Sequence, residues 1–242
     1  MGYCTVRAGC YTASVPKTRR VAPGGMIFHV LNRGAGRTRL FDSDDDYAAF
    51  ERIIEETLDI RPMRLLAYCL MPNHWHMVLH PEADGDLSAF MQRLSVTHAT
   101  RWQRFRHRAA TGHVYQGRFK SFPVETDEPF YQVVRYVERN PLRANLVQDL
   151  DRWRWSSFWR HRHGTPQAKE ILAPWPLERP VPWKAHVERP QTEAELSAIR
   201  RCVDRGNPFG SPAWSERVVE QLGLESTLRP RGRPRKYRSP DG

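Results

Sequence analysis

Two histidines, His74 and His76, flank a single tryptophan in the stretch "YCLMPNHWHMVLH". One intervening residue matters if the segment is a β-strand, because alternate side chains then share a face. His74, His76, Val78 and His80 project together, and Trp75, Met77 and Leu79 point the other way. Two imidazoles so placed can bind one divalent cation, but a pair is an incomplete site. Further polar groups come from "FYQVVRYVERNP", where Tyr136 and Asn140 lie four residues apart and, on a helix, on one face. A phenol is a covalent nucleophile, and a cation that polarises a phosphodiester oxygen would assist its attack. Read from the residues alone, a packed Tyr136 with Asn140 ending the helix at Pro141, and a pair of half-exposed strand histidines, stay open as alternatives.

The elements that must position these groups follow from periodicity. "GGMIFHVLNRG" reads as a short strand with Met26, Phe28 and Val30 on one face and Ile27, His29 and Leu31 on the other. "FDSDDDYAAFERIIEETLDI" reads as a helix capped by Ser43 or Asp44. A strand, a turn at Pro72 and Asn73, and the histidine strand come next. An amphipathic helix over "DLSAFMQRLSVTHATRWQRFRHR" turns Arg93, Arg101, Arg104, Arg106 and Arg108 outward. After the strand in "VYQGRFKSFPVE", Asp127 and Pro129 open the helix that carries Tyr136. The pattern predicts an α+β domain, an antiparallel sheet with helices packed on it, over residues 21–160. Residues 1–20 read as a disordered basic arm and 161–190 as a Pro-rich linker. Residues 191–228 read as a small helical module, a candidate helix-turn-helix, and 229–242 as a basic tail.

Composition narrows the partner. Lys and Arg number 38 against 27 Asp and Glu, a formal net charge of +11, which favours a polyanion. No long apolar run or leader pattern is present, so a soluble intracellular protein with no membrane partner is expected. The four cysteines have no CxxC spacing and read as free thiols. Tyr115, Arg118, Phe119 and Lys120 combine cations with aromatics, a composition suited to single-stranded nucleic acid. In "RWRWSSFWR" the tryptophans suit packing over the sheet. "PRGRP" in the tail looks like an AT-hook core, with Arg231, Gly232, Arg233, Arg235 and Lys236 as candidates for an A·T-rich minor groove.

"AYCLMPNHWHMVLHP" resembles the His-apolar-His motif of single-tyrosine HUH transposases. With "RVAPGGMIFHVLNRG", "YVERNPLRANLV" and "RPRGRPRK" in this order, the chain is similar to the REP-associated tyrosine transposases. That resemblance implies a ferredoxin-like HUH nuclease fold and a Mg or Mn ion held by His74 and His76, with Asn140 at the third-ligand position. It also implies that Tyr136 attacks a DNA phosphodiester, leaving a 5′-phosphotyrosine and a free 3′-hydroxyl. The substrate would be single-stranded or hairpin DNA, handled by a monomer or homodimer in a bacterial cytoplasm and associated with the nucleoid when bound. A catalytically idle DNA-binding protein or repressor, and a metal hydrolase using water, are the competing expectations.

Overall fold

The computed structural model describes residues 21–106 and 112–229. The basic arm 1–20, Arg108 and the tail residues Arg231, Gly232, Arg233, Arg235 and Lys236 lie outside the described residues.

Strand β1 (Ile27–Arg33) is followed by helix α1 (Asp44–Ile60), strands β2 (Arg64–Met71) and β3 (His74–His80), helix α2 (Asp86–Phe105) and strand β4 (Lys120–Val124). The sheet runs β2-β3-β1-β4 and every pairing is antiparallel. This β-α-β-β-α-β arrangement is the ferredoxin-like one expected from the motifs. Alternation divides the sheet as the spacing predicts. Phe28, Val30, Trp75, Met77 and Leu79 face a core shared with Tyr47, Phe50 and Ile54 of α1 and Phe90 and Leu94 of α2. Ile27, Val78 and Phe122 face a second core. Ser43 caps α1 through a reciprocal capping box with Asp46, which supplies partners for amides a helix start leaves unpaired.

The second face is covered by helix α3 (Glu128–Glu138), the short α4 (Asn140–Arg143), α5 (Ser157–His163), α6 (Pro166–Lys169), α7 (Trp183–Glu188) and α8 (Glu193–Arg205). Helices α9 (Pro212–Leu222) and α10 (Glu225–Leu228) complete the described chain.

The linker expected at 161–190 is corrected here. Trp175 donates its indole N–H to the Leu66 carbonyl at 2.8 Å, and the Ala173 amide donates to the Leu65 carbonyl at 2.9 Å. Both contacts lie on β2, an outer strand whose unpaired backbone groups need covering. Trp183 is buried and donates to Glu138 Oε2 at 2.7 Å. Isolated tryptophans between prolines leave no periodic signal, so packing that depends on them reads as a linker.

Within residues 191–228, α8 and the segment after it pack against the domain. Leu196, Ile199 and Cys202 of α8 are buried in the second core. Phe209 pairs its backbone with Pro123 and Glu125, covering the other outer strand, β4.

Candidate functional site

His74 and His76 come from the central strand β3 on the face packed by α3. Their rings stand 5.0 Å apart between centroids. His74 is half-buried and His76 buried. Burial pushes the His74 imidazole down to about 4 and His76 well below its ordinary value, since charging a ring away from water is costly. Both rings are therefore neutral at physiological pH and carry a lone pair. His80, the third histidine on this face, ends the strand instead, with its Nδ1 2.9 Å from Arg64 Nη1.

Two residues that the motif reading did not single out orient the pair. Asn73 Oδ1 lies 2.7 Å from His74 Nδ1, and His29 Nε2 lies 2.9 Å from His76 Nδ1. An amide oxygen can only accept, so His74 carries its proton on Nδ1. His76 takes the same tautomer if His29 accepts through Nε2. Both Nε2 lone pairs are then left for a cation, the arrangement by which neighbouring groups aim imidazole ligands. Alternation groups His29 with Ile27 and Leu31 on one face of β1, and the β1–β3 pairing brings it beside His76.

Tyr136 reaches the histidines from α3, its ring centroid 5.7 Å from that of His76 and 6.2 Å from that of His29. α3 ends at Glu138, beside the stop expected at Asn140–Pro141; Arg139 keeps right-handed helical geometry, and α4 begins at Asn140 with Pro141 in its first turn. Proline is tolerated there because an amide in that turn has no helical acceptor. Tyr136 and Asn140 thus remain one turn apart.

Asn140 is buried, and both ends of its amide bond to the chain itself. Its Nδ2 donates to the Tyr136 and Val137 carbonyls at 3.1 and 3.2 Å, and its Oδ1 accepts from Arg143 Nη2 at 2.6 Å. The oxygen that the motif assigns to a cation is therefore held by a guanidinium. Among the described residues no group of three or more His, Cys, Asp or Glu side chains could hold a metal ion. The two imidazoles fit a divalent cation that leaves coordination positions to water or phosphate oxygens.

Tyr136 opens into a cleft of about 490 Å³ whose lining includes Arg33, Arg118, Lys120 and Arg200. Arg118 and Lys120 thus stand where a polyanion entering the cleft would meet them. Lys120 also pairs with Asp204 of α8 at 2.9 Å. Arg200 comes from α8, so sequence far beyond the histidine motif builds one wall.

Tyr115 and Phe119, expected to stack on bases, stand apart from this cleft. Tyr115 is only 8 % exposed. Its hydroxyl accepts from Trp75 Nε1 at 3.2 Å and lies 2.6 Å from His98 Nδ1, so its ring belongs to the first core rather than to an open platform. Phe119 packs partly against that same core. No helix among the described residues is long and apolar enough to cross a membrane.

Residues 24–140 match the family model for IS200-like transposases. A REP-associated tyrosine transposase of Escherichia coli (strain K12) is 24 % identical over 138 residues, 57 % of this chain and 78 % of that protein. A Haemophilus influenzae protein provisionally given the same name is 24 % identical over 151 residues, covering 59 % and 84 % respectively. The solved structure of a REP-associated tyrosine transposase bound to a REP hairpin superposes with a TM-score of 0.50 at 21 % identity, covering 69 % of this chain and 93 % of that one.

Proposed function

We propose that this chain, whose residues 24–140 match the family model for IS200-like transposases, cuts and rejoins single-stranded DNA at hairpin-bearing repeats, with Tyr136 as the nucleophile. The observation that carries this reading is the placement of the Tyr136 ring 5.7 Å from His76 in a cleft lined by arginine and lysine. In the proposed step the Tyr136 oxygen forms a bond to phosphorus as the bond to the 3′ oxygen breaks. The phenol gives up its proton to water and the departing 3′ oxygen takes one up. The product is a 5′-phosphotyrosine beside a free 3′-hydroxyl. Attack by a 3′-hydroxyl reverses the step, so rejoining needs no outside energy source.

A Mg or Mn ion on His74 and His76 Nε2 would supply positive charge at a non-bridging phosphate oxygen. Asn73 holds His74 in the tautomer this requires, and His29 does the same for His76 when its Nε2 accepts. Arg33, Arg118, Lys120 and Arg200 neutralise the strand as it enters. Arg231, Gly232, Arg233, Arg235 and Lys236 would add contact with an A·T-rich minor groove.

The second reading, DNA binding without chemistry, draws support from the hold of Arg143 on Asn140 Oδ1. One experiment separates the two. The full chain is incubated with Mn or Mg and labelled single-stranded hairpin oligonucleotides, then run on a denaturing gel. A covalent adduct absent from Tyr136→Phe and weakened in His74→Ala is expected. An adduct that survives Tyr136→Phe removes the assigned nucleophile, and tight binding with no adduct at all selects the second reading.

A further inference from the structure

A second cavity, of about 380 Å³, adjoins the Tyr136 cleft, and nothing in the chemistry above uses it. The two share Asn32, Gly117 and Arg118 in their linings. The ridge between them is tethered by Asn32, whose Nδ2 donates to the Gly117 carbonyl at 3.4 Å. A Cβ built on Gly117 meets nothing within 4 Å, so space over the ridge is open.

The α2 wall of this cavity offers Ser88, Met91, Gln92 and Ser95 at helical spacing, and the half-buried Phe119 supplies aromatic surface. Hydroxyl and amide groups beside apolar and aromatic ones suit a planar ligand with a hydrogen-bonding edge. The Ser95 hydroxyl oxygen is buried with no hydrogen-bond partner. A buried hydroxyl left unpaired is costly, and a Ser95 rotamer that turns it into the cavity would let a ligand edge remove that cost.

We infer that this cavity receives one unstacked nucleobase of the DNA strand whose phosphate lies at Tyr136. Single strands can turn bases out of the stack onto aromatic side chains and present their edges to amides and hydroxyls. Arg118, in the lining of both cavities, is placed to meet the phosphate that links the two positions. The inference rests on the DNA reading above and adds to it a base-reading subsite on the opposite side of the Gly117 ridge.

The test uses the full chain and a hairpin oligonucleotide with single-stranded flanks, each flanking nucleotide being replaced in turn by an abasic one. Binding is read by fluorescence anisotropy, independently of adduct formation. One flanking position is expected at which base removal weakens binding about tenfold. In the Gln92→Ala, Ser95→Ala double variant, which keeps helix-compatible residues, the penalty at that position falls to below about twofold. A penalty equally large in the variant, or absent at every position, overturns the subsite. Absence of DNA binding overturns both it and the DNA reading. Coupling without a covalent adduct supports the subsite and counts against the strand-transfer chemistry alone.

Discussion

The guanidinium carbon of Arg143 stands 4.2 Å from the ring centroid of Tyr136. The same side chain donates to Asn140 Oδ1 and, through Nη1, to Gln191 at 3.2 Å. One cation therefore fixes the candidate nucleophile, the amide one turn beyond it, and the chain entering α8. Arg143→Ala is expected to lower adduct formation on the order of a hundredfold, because small misplacements of reacting groups cost about that much. DNA binding should change much less. Single-turnover rates beside anisotropy isotherms check this, and equal losses in both would assign Arg143 to strand binding.

His29 makes the next prediction. With its Nε2 2.9 Å from His76 Nδ1, it fixes the ring whose other nitrogen faces the site. His29→Phe keeps a ring of similar breadth but removes the acceptor. Mn affinity, measured by calorimetric titration without DNA, should fall by about 10- to 100-fold. Unchanged affinity would show that the pair needs no such support.

The fold's tolerance of acid follows from His98, buried beside Tyr115 and pushed down by burial to about 3. The unfolded chain protonates this group near 6.5, whereas the folded chain does not, so the unfolded state gains protons first as pH falls. Stability from His98 is present above 6.5 and is lost progressively toward 3. Between pH 7 and pH 5 the expected loss is about 2 kcal/mol. Urea melts at the two pH values test this: His98→Gln should show a smaller acid-induced loss than the native chain, and an identical loss would exclude His98 as its source.

The role of α8 as part of the domain predicts a stability effect far from the histidine motif. Ile199 is fully buried in the second core. Ile199→Ala should destabilise the whole chain by about 2–5 kcal/mol in a single cooperative unfolding transition. A separate early transition confined to the C-terminal segment would mean that α8 folds by itself.

Much of the fold is legible in the residues because two periods govern it. Strict alternation around His74 and His76 fixes their common face, and the Ser43 and Asp127 caps mark where α1 and α3 begin. What stays hidden depends on pairing between distant segments. Nothing local to His29 says that it lies beside His76, because that follows from strand register. Arg143 looks like one more basic residue until α4 continues the line of α3 and swings it over Tyr136. Trp175 and Trp183 hold a segment whose prolines break every periodic pattern, so its attachment rests on single side chains that no period announces.

The wall that α8 gives the Tyr136 cleft also has a consequence for how the protein comes into being. His74, His76 and Tyr136 leave the ribosome well before Arg200 and Asp204, which are made 60 or more residues later. The β-sheet can pair while its histidine-bearing face still exposes apolar surface that Leu196, Ile199 and Cys202 will cover. The cleft therefore gains its last side only once α8 has been made, and the interval before that is when the nascent chain is most open to aggregation.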